Sequence, residues 1–477
     1  MKTATTPPTV SAGSRSWTPG ARELADLDLL LRGGYQPLAG FMGRADTESV
    51  RRTGRLAGGR PWPVPVTLAV PDRLAGAGPL TLTDAEGAPL AVVQVTESWP
   101  AGAGRHFVAG PVTPLGTAEY GSFRRLHLPA AEVRGQLGSS PALAVVATEP
   151  LHWRDIAGIR ATADLLDARI LLVVATGTAG SEPLIRAVMA AAAELAGAVI
   201  VAVPLPAAEV AATATGPGRR LAAHVAAAFG GTHLYGTDPI VDAPLPLVAP
   251  PADPPDDPAL SSAELADLLD RGAPLPPGFT PAGVERELRR ARRPRSQRGV
   301  VVLFTGLSGS GKSTLARGLH DTLLEGSDRS VTLLDGDVVR QMLSAGLGFS
   351  RADRELNVRR IGYVAAEAAR HGGVAICAPI APYADTRADV RALAEAVGDF
   401  LLVWVSTPLE ECERRDRKGL YARARAGQIS GFTGVDDPYE EPADADLVID
   451  TSGRPITECV ADVLELMHRR GWVGGPA

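Results

Sequence analysis

The chain has 477 residues, 45% of them apolar, and a formal net charge of −6. That length leaves room for about three domains of ~150 residues each, and the apolar share is that of an ordinary chain with packed cores. The acidic balance argues against an extended nucleic-acid-binding surface, and the three cysteines, Cys377, Cys412 and Cys459, lack the CxxC spacing of a zinc site or a disulfide framework.

In chain order, the opening MKTATTPPTVSAGS lacks the apolar centre of a signal peptide. With the cysteine usage, this gives a cytoplasmic expectation. Up to about residue 140 the runs WPVPVTLAV, PLTLTD, PLAVVQVTES and RHFVAG read as strands separated by Gly, Pro and Asp, so this part is expected to be β-rich. From 141 the pattern alternates. ALAVVAT reads as a buried strand, WRDIAGIRATADLLD as a helix and ARILLVVAT as a second strand, the signature of an α/β domain with a parallel sheet. The longest apolar run, AVMAAAAELAGAVIVAVPLP, contains Glu194 and ends in prolines. It reads as a helix, a break at Gly197 and a buried strand, with no membrane span.

PLPLVAPPADPPDDPAL is too rich in proline for a helix or a central strand. SSAELADLLDRG then reads as a helix with Ser261 or Ser262 as N-cap and Gly272 as its stop. The basic run RRARRPRSQRG reads as a solvated interdomain hinge.

The last third carries the chemistry. GLSGSGKST, Gly306 to Thr314, matches G-x-x-x-x-G-K-[ST] between a strand-like VVVLF and a helix-like LARGLHDTLL. Glycines there let backbone N–H groups face phosphates, and the following helix N-terminus adds a favourable dipole. Lys312 is expected at the β/γ-phosphates of a nucleoside triphosphate and Ser313 on Mg²⁺. SVTLLDGDVVR sets Asp335 and Asp337 at the C-terminal end of a buried strand. There a carboxylate holds a metal or accepts a proton, although one of the two could serve only as a helix cap. Next, FSRADRELNVRR gathers Phe349, Arg354, Asn357, Arg359 and Arg360 at a helix start, the types that stack on a base and grip phosphate or sulfate. Among 48 basic residues the only lysines are Lys2, Lys312 and Lys418. Lys418 falls in a basic, glycine-punctuated segment with Arg414, Arg415, Arg417, Arg423 and Arg425 that reads as a lid.

Taken together, GLSGSGKST, LDGDVVR, FSRADRELNVRRIG, RKGLYARARAG and GFTGVDDPYEEP resemble the adenylylsulfate kinase family, over about 295 to 477. That family phosphorylates the 3′-hydroxyl of adenosine 5′-phosphosulfate (APS) to give PAPS. The resemblance implies ATP and Mg²⁺, with ATP contacts from Gly306, Gly309, Ser310, Gly311, Lys312, Ser313, Thr314, Arg415 and Cys459, and metal contacts from Ser313 and Asp335. APS contacts are implied for Asp337, Arg340, Phe349, Arg354, Asn357, Ile380, Lys418, Gly431 and Phe432. Lys312, Asp337 and Lys418 are expected to carry catalysis, with Asp337 orienting or deprotonating the acceptor hydroxyl. The family's Ser-Pro-Tyr-Arg reads Ala381-Pro382-Tyr383-Ala384 here, which removes a serine and an arginine while Arg387 and Arg391 remain.

ELADLDLLLRGGYQPLAGFM, PWPVPVTLAV, AVVATEPLHWRD, FGGTHLYGTD and LLDRGAPLPPGFTPAGVERELRR resemble ATP sulfurylase, which makes APS from ATP and sulfate. The resemblance implies an α/β chain in three parts: a β-rich PUA-like domain (1–140), a truncated Rossmann-like sulfurylase domain (141–292) and a P-loop kinase with a parallel sheet (293–477). It also implies a homodimer or higher homo-oligomer acting on APS, with no nucleic-acid or membrane partner. The sulfurylase site is altered. Where the family has Gln-x-Arg-Asn-Pro and His-x-x-His, this chain has Val146-Ala147-Thr148-Glu149-Pro150-Leu151-His152-Trp153-Arg154-Asp155, so only His152 persists. The family's Gly-Arg-Asp-His reads Gly236-Thr237-Asp238-Pro239, and the segment before LSSAELADLLDRG is short. Carboxylates at an anion site repel by several kcal/mol at ~4 Å. The expectation is an active kinase fused to a degenerate sulfurylase, with His152, His224 and His233 as structural histidines. The alternatives are a bifunctional enzyme and a non-catalytic nucleotide sensor.

Overall fold

The computed structural model describes residues 15–116, 122–177, 180–205, 210, 216–240, 242–250 and 258–474, and of 336–338 the backbone only. The chain divides into two compact units, Met1–Leu260 with Leu275–Ala291, and Ser261–Pro274 with Arg292–Ala477.

The first unit holds two sheets. One is built on the ten-residue strand Arg105–Pro114, which pairs antiparallel with Gly40–Phe41, Leu68–Pro71, Pro89–Val95 and Glu97–Gly102. Gly78–Thr83 continues the sheet beyond Pro89–Val95, and Ser16–Trp17 adds a parallel edge. Alternation along Pro89–Val95 sends Ala91, Val93 and Val95 inward, the period of a sheet with one buried face. The β-rich expectation is met here, but three helices accompany the strands: Ala21–Leu31, Arg44–Thr53 and Ala130–Leu137. The first begins at a capping interaction in which Glu23 accepts from the Gly20 N–H at 2.9 Å.

The second sheet is parallel, in the order Val199–Val203, Arg169–Ala175, Ala142–Ala147, His233–Tyr235, Leu247–Val248. Its central strands are apolar on both faces. Leu171 and Val173 enter one core, Leu172 and Val174 the other. Among its described residues the proline-rich segment contributes the two-residue edge strand Leu247–Val248, in keeping with the missing N–H donors of proline.

The second unit is a five-stranded parallel sheet in the order Val331–Leu334, Val374–Cys377, Val300–Thr305, Asp399–Val405, Leu447–Ile449. The run VVVLF alternates between two cores. Val300, Val302 and Phe304 pack with Leu315 and Leu319 of the helix Lys312–Gly326 and with Val463 of the helix Ile456–Arg469. Val301 and Leu303 face Val358 and Ile361 of the helix Arg351–Arg370 and Val390 of the helix Ala384–Glu395. Covered on both sides, the central strand has no polar face, which is why it reads as an unbroken apolar run.

Ser261 is the N-cap of the helix Ser262–Arg271, accepting from the Glu264 N–H at 3.2 Å, and Gly272 ends it in the left-handed conformation with φ +67°. The run RRARRPRSQRG is largely exposed, as the solvated reading expects, and it spans the boundary between the two units, but three of its arginines share one buried acid. Arg292, Arg295 and Arg298 converge on the buried Asp270 carboxylate at 2.6, 3.6 and 2.5 Å. These guanidiniums, with hydrogen bonds from Arg292 first among the causes, hold Asp270 down at about 2. The three cysteines are buried and free. Among the described residues no helix is long and apolar enough to cross a membrane.

Candidate active site

The site of the second unit lies where Val300–Thr305 passes into the helix Lys312–Gly326, at the C-terminal edge of the parallel strands, where open α/β sheets bind ligands. Gly306 leaves the strand with φ +148°, and a Cβ there would stand 2.4 Å from the Val405 carbonyl oxygen, so only glycine passes between the strands. Gly309 and Gly311 complete the turn at φ +77° and +103°. Beneath the loop, the Ser310 carbonyl accepts from the Thr407 and Thr451 hydroxyls at 3.0 and 2.9 Å. Arg415 clamps the same support, donating to Thr451 Oγ1 at 2.8 Å and its carbonyl at 3.0 Å, and reaching Gly309 O at 3.5 Å. The Thr314 N–H closes onto Gly311 O at 3.1 Å, within the first helical turn.

Lys312 is 6% exposed, and its Nζ donates to Leu307 O at 2.6 Å. Burial pushes its ammonium down to about 8; Lys418 adds to the fall, while Cys412 and Asp335 oppose it. Ser313 Oγ donates to Asp335 at 3.3 Å, and Arg317 binds the other carboxylate oxygen at 2.8 Å. A hydroxyl and a buried carboxylate are hard oxygen donors, and two such ligands suit Mg²⁺, which keeps waters and takes the rest of its shell from substrate phosphates. Among the described residues no group of three or more His, Cys, Asp or Glu gathers into another metal cluster. Asp335 also stands at the N-cap of the helix Gly336–Met342. The side chain of Asp337, the expected proton acceptor, lies outside the described residues.

The expected acceptor-side residues come from five segments. Arg340 stacks over Phe349 at 4.2 Å and donates to Gly348 O at 3.1 Å; the Phe349 ring is 69% exposed. Arg354 donates to Thr433 Oγ1 and Asp437, both at 3.0 Å, and Asp437 also accepts from the Tyr383 hydroxyl at 3.0 Å. Asn357 is 6% exposed and its Oδ1 has no hydrogen-bond partner among the described residues. The Ile380 carbonyl accepts from Thr305 Oγ1 at 2.7 Å and from the Gly306 N–H at 3.3 Å, which ties the acceptor side to the start of the phosphate loop. Gly431 and Phe432 are pinned by their N–H groups to Asp436 at 2.6 and 2.5 Å. Lys418 is exposed and near enough to act on the charge of Lys312.

Cys459 is set apart from these residues. Its side chain is fully buried among Leu315, Val460 and Val463, in the core under the loop helix. Sequence reasoning missed the supports Thr305, Thr407, Thr451, Tyr383 and Asp437. Each stands at a strand end or in a loop and joins its partner over a long span of chain, so no local spacing marks it. At the Ala381-Pro382-Tyr383-Ala384 departure, Ala381 is buried at φ +46°, and Arg387 donates to its carbonyl at 2.9 Å.

In the first unit the altered sulfurylase motif follows the strand Ala142–Ala147 and opens the helix Trp153–Leu165. Asp155 is spent as a cap, accepting from the His152 N–H at 2.8 Å. The His152 ring stacks on Phe279 at 4.3 Å and its Nδ1 lies 3.0 Å from Thr280 Oγ1. Burial lowers its pKa, against the opposing charges of Asp155 and Glu149. Asp238 pairs with Arg219 at 3.0 Å. His224 packs by Trp62 at 5.4 Å, and His233 Nδ1 lies 2.9 Å from Thr232 Oγ1. All three histidines are held by their own neighbours, as expected of structural ones.

Comparison with known proteins agrees with this division. The adenylylsulphate kinase family model matches residues 298–450, and a PUA-like domain model matches 11–107. The sulfate adenylyltransferase of Yarrowia lipolytica is 31% identical over 538 residues, covering 95% of this chain and 93% of that protein. The chain belongs to the family of sulfurylase–kinase fusions. The hexameric APS kinase from Thiobacillus denitrificans matches with a TM-score of 0.82 at 33% identity, over 97% of this chain and 94% of that one. Similarity to the Aspergillus clavatus sulfate adenylyltransferase is higher, 47%, but confined to 214 residues. That match takes in 45% of this chain and 37% of the length of the relative. The mixed α/β architecture with a PUA-like start and a C-terminal kinase domain is therefore the fold of this family.

Proposed function

We propose that the chain is an ATP- and Mg²⁺-dependent adenylylsulfate kinase whose sulfurylase-like half does not make APS. The observation that carries the kinase reading is the buried Lys312 ammonium, seated in the glycine loop beside the Ser313–Asp335 pair. Lys312, Arg415 and the loop backbone hold the ATP phosphates, and Arg340, Phe349, Arg354, Asn357, Ile380, Gly431 and Phe432 hold APS. Asp337 orients the 3′-hydroxyl and takes its proton as the oxygen bonds to the γ-phosphorus. The bond to the β,γ-bridging oxygen breaks, and ADP leaves. Lys312 and Lys418 offset the charge that develops on the transferring group. Bound Mg²⁺ supplies charge neutralisation and a template for the phosphate oxygens. Similarity to a hexameric relative supports a homo-oligomer, and the protein is assigned to the cytoplasm.

Against sulfate adenylylation stand the replacement of the anion-binding arginine by Thr148 and the use of Asp155 as a helix cap. A bifunctional reading keeps support from the near full-length similarity to a sulfate adenylyltransferase. One experiment separates them. Purified protein receives either ATP, Mg²⁺ and APS, or ATP, Mg²⁺, sulfate and pyrophosphatase, and the nucleotides are resolved by chromatography. PAPS from the first mixture alone is the expected result. PAPS from both, with Lys312→Ala accumulating APS in the second, would establish the bifunctional enzyme instead. No PAPS from either would remove the kinase reading.

A further inference from the structure

Tyr421 lies in the short lid helix Leu420–Arg425, three residues after Lys418. Its hydroxyl donates to the Ser308 carbonyl, inside the phosphate loop, at 2.9 Å. Its ring meets Phe432 edge-on, with centroids 5.0 Å apart at 82°. The residue is 3% exposed, and burial pushes its phenol far above the ordinary range, so it remains a proton donor at every working pH. One side chain therefore touches three segments: the loop that takes ATP, the lid that carries Lys418, and the Gly431–Phe432 turn assigned to APS.

We infer that Tyr421 is a positioning residue that latches the lid onto the phosphate loop and so links the donor and acceptor sides of the reaction. The inference rests on the kinase reading for its catalytic consequence but not for the latch itself. The frame on either side is stiff. Asp416 accepts from the Tyr421 and Ala422 N–H groups at 3.2 and 3.0 Å, which fixes the start of the lid helix. Asp436 fixes Phe432 from the other side. With both neighbours held by their backbones, the phenol–Ser308 bond sets how closely this frame sits over the loop. It acts through Lys418 and Phe432, because its oxygen is committed to a carbonyl and its ring to another ring.

Tyr421→Phe keeps the ring and removes the bond; Tyr421→Leu removes both. If the latch is real, Tyr421→Phe melts within a few degrees of the wild type and keeps KM for ATP within about twofold, yet loses about tenfold in kcat, the upper reach of one net hydrogen bond. Tyr421→Leu loses more, and its KM for APS rises as Phe432 loosens. A second readout needs no acceptor: trypsin cleavage after Lys418, Arg423 and Arg425 in the presence of a non-hydrolysable ATP analogue. The wild-type lid is expected to be protected and the Tyr421→Phe lid to be cut about fivefold faster. Equal cleavage rates, or wild-type kcat in Tyr421→Phe, would overturn the latch. Faster cleavage in a protein that makes no PAPS from APS would keep the latch and remove the kinase reading, so the two failures are told apart.

Discussion

Replacing Lys312 by methionine should abolish phosphoryl transfer and yet stabilise the second unit. The side chain is buried, and its pKa falls from 10.5 to about 8. That difference places the strain of holding the ammonium charged, without phosphates, at about 3 kcal/mol. Methionine fills nearly the same volume without charge but surrenders the bond to Leu307 O, at a cost of about 1 kcal/mol. The net expectation is a gain of about 2 kcal/mol at pH 7. The sign of the pH dependence follows from where protons sit. Below pH 8 both the folded and the unfolded wild type carry the proton, so the strain is fully present. Between about 8 and 10.5 only the unfolded chain holds it, so wild-type stability rises with pH and the advantage of Lys312→Met closes. Urea unfolding of both proteins without nucleotide, from pH 7 to 9.5, reads this difference, since their other titrations are shared and cancel. A destabilised Lys312→Met at pH 7, or a gap that does not change with pH, would refute the claim that this lysine is held against its solvation.

Three further outcomes test other parts of the architecture. Asp270→Asn should cost about 1–2 kcal/mol of second-unit stability at pH 7, the shift to about 2 discounted because Arg292 and Arg295 are half exposed. In the wild type this contribution is complete above the unfolded value near 4 and lost as the pH falls from there toward 2, which acid-range denaturation curves would display. Gly306→Ala should lose ATP binding by calorimetry and about 1–3 kcal/mol of stability, because its Cβ would press on Val405 O at a positive φ. Asp155→Ala should lower first-unit stability by about 1 kcal/mol through loss of the cap while leaving APS phosphorylation within twofold; a large fall in kinase kcat would contradict the purely structural role given to this residue.

The parts legible in the sequence were those whose partners are close in the chain. The glycine loop is read from nine consecutive residues, and the Ser261 cap and Gly272 stop from twelve. The central parallel strands are read from uninterrupted apolar runs such as VVVLF. What stayed hidden depends on burial and on contacts between distant segments. Asp270 looks like any exposed helix acid until Arg292, 22 residues on, and Arg298, 28 on, close over it. Part of that exposed basic run thus also works as a clamp on one acid. Thr407 and Thr451 meet 44 residues apart under Ser310, and nothing around either announces a loop support. Tyr421 stood in plain view in a lid segment, but its tie to Ser308, 113 residues away, is a property of the fold.

On the proposed reading, the first unit keeps the scaffold of a sulfurylase site and gives its residues other roles. An aspartate in place of the second histidine of His-x-x-His is short enough to turn back and accept from the backbone N–H three residues earlier, so the position now serves the helix that it opens. The remaining imidazole is drawn into a stack with Phe279, and burial keeps it neutral near pH 7, so it brings no positive charge to an anion. Asp238 in turn already engages Arg219, a cation the neighbouring helix could otherwise offer. Restoring the anion-binding arginine at Thr148 alone would therefore leave the aspartate committed to its cap, the imidazole to its stack and Glu149 beside them. Thr148→Arg should leave the sulfate-dependent reaction undetectable, whereas a sulfate-dependent release of pyrophosphate by that single variant would mean that the scaffold holds the rest of its old chemistry intact.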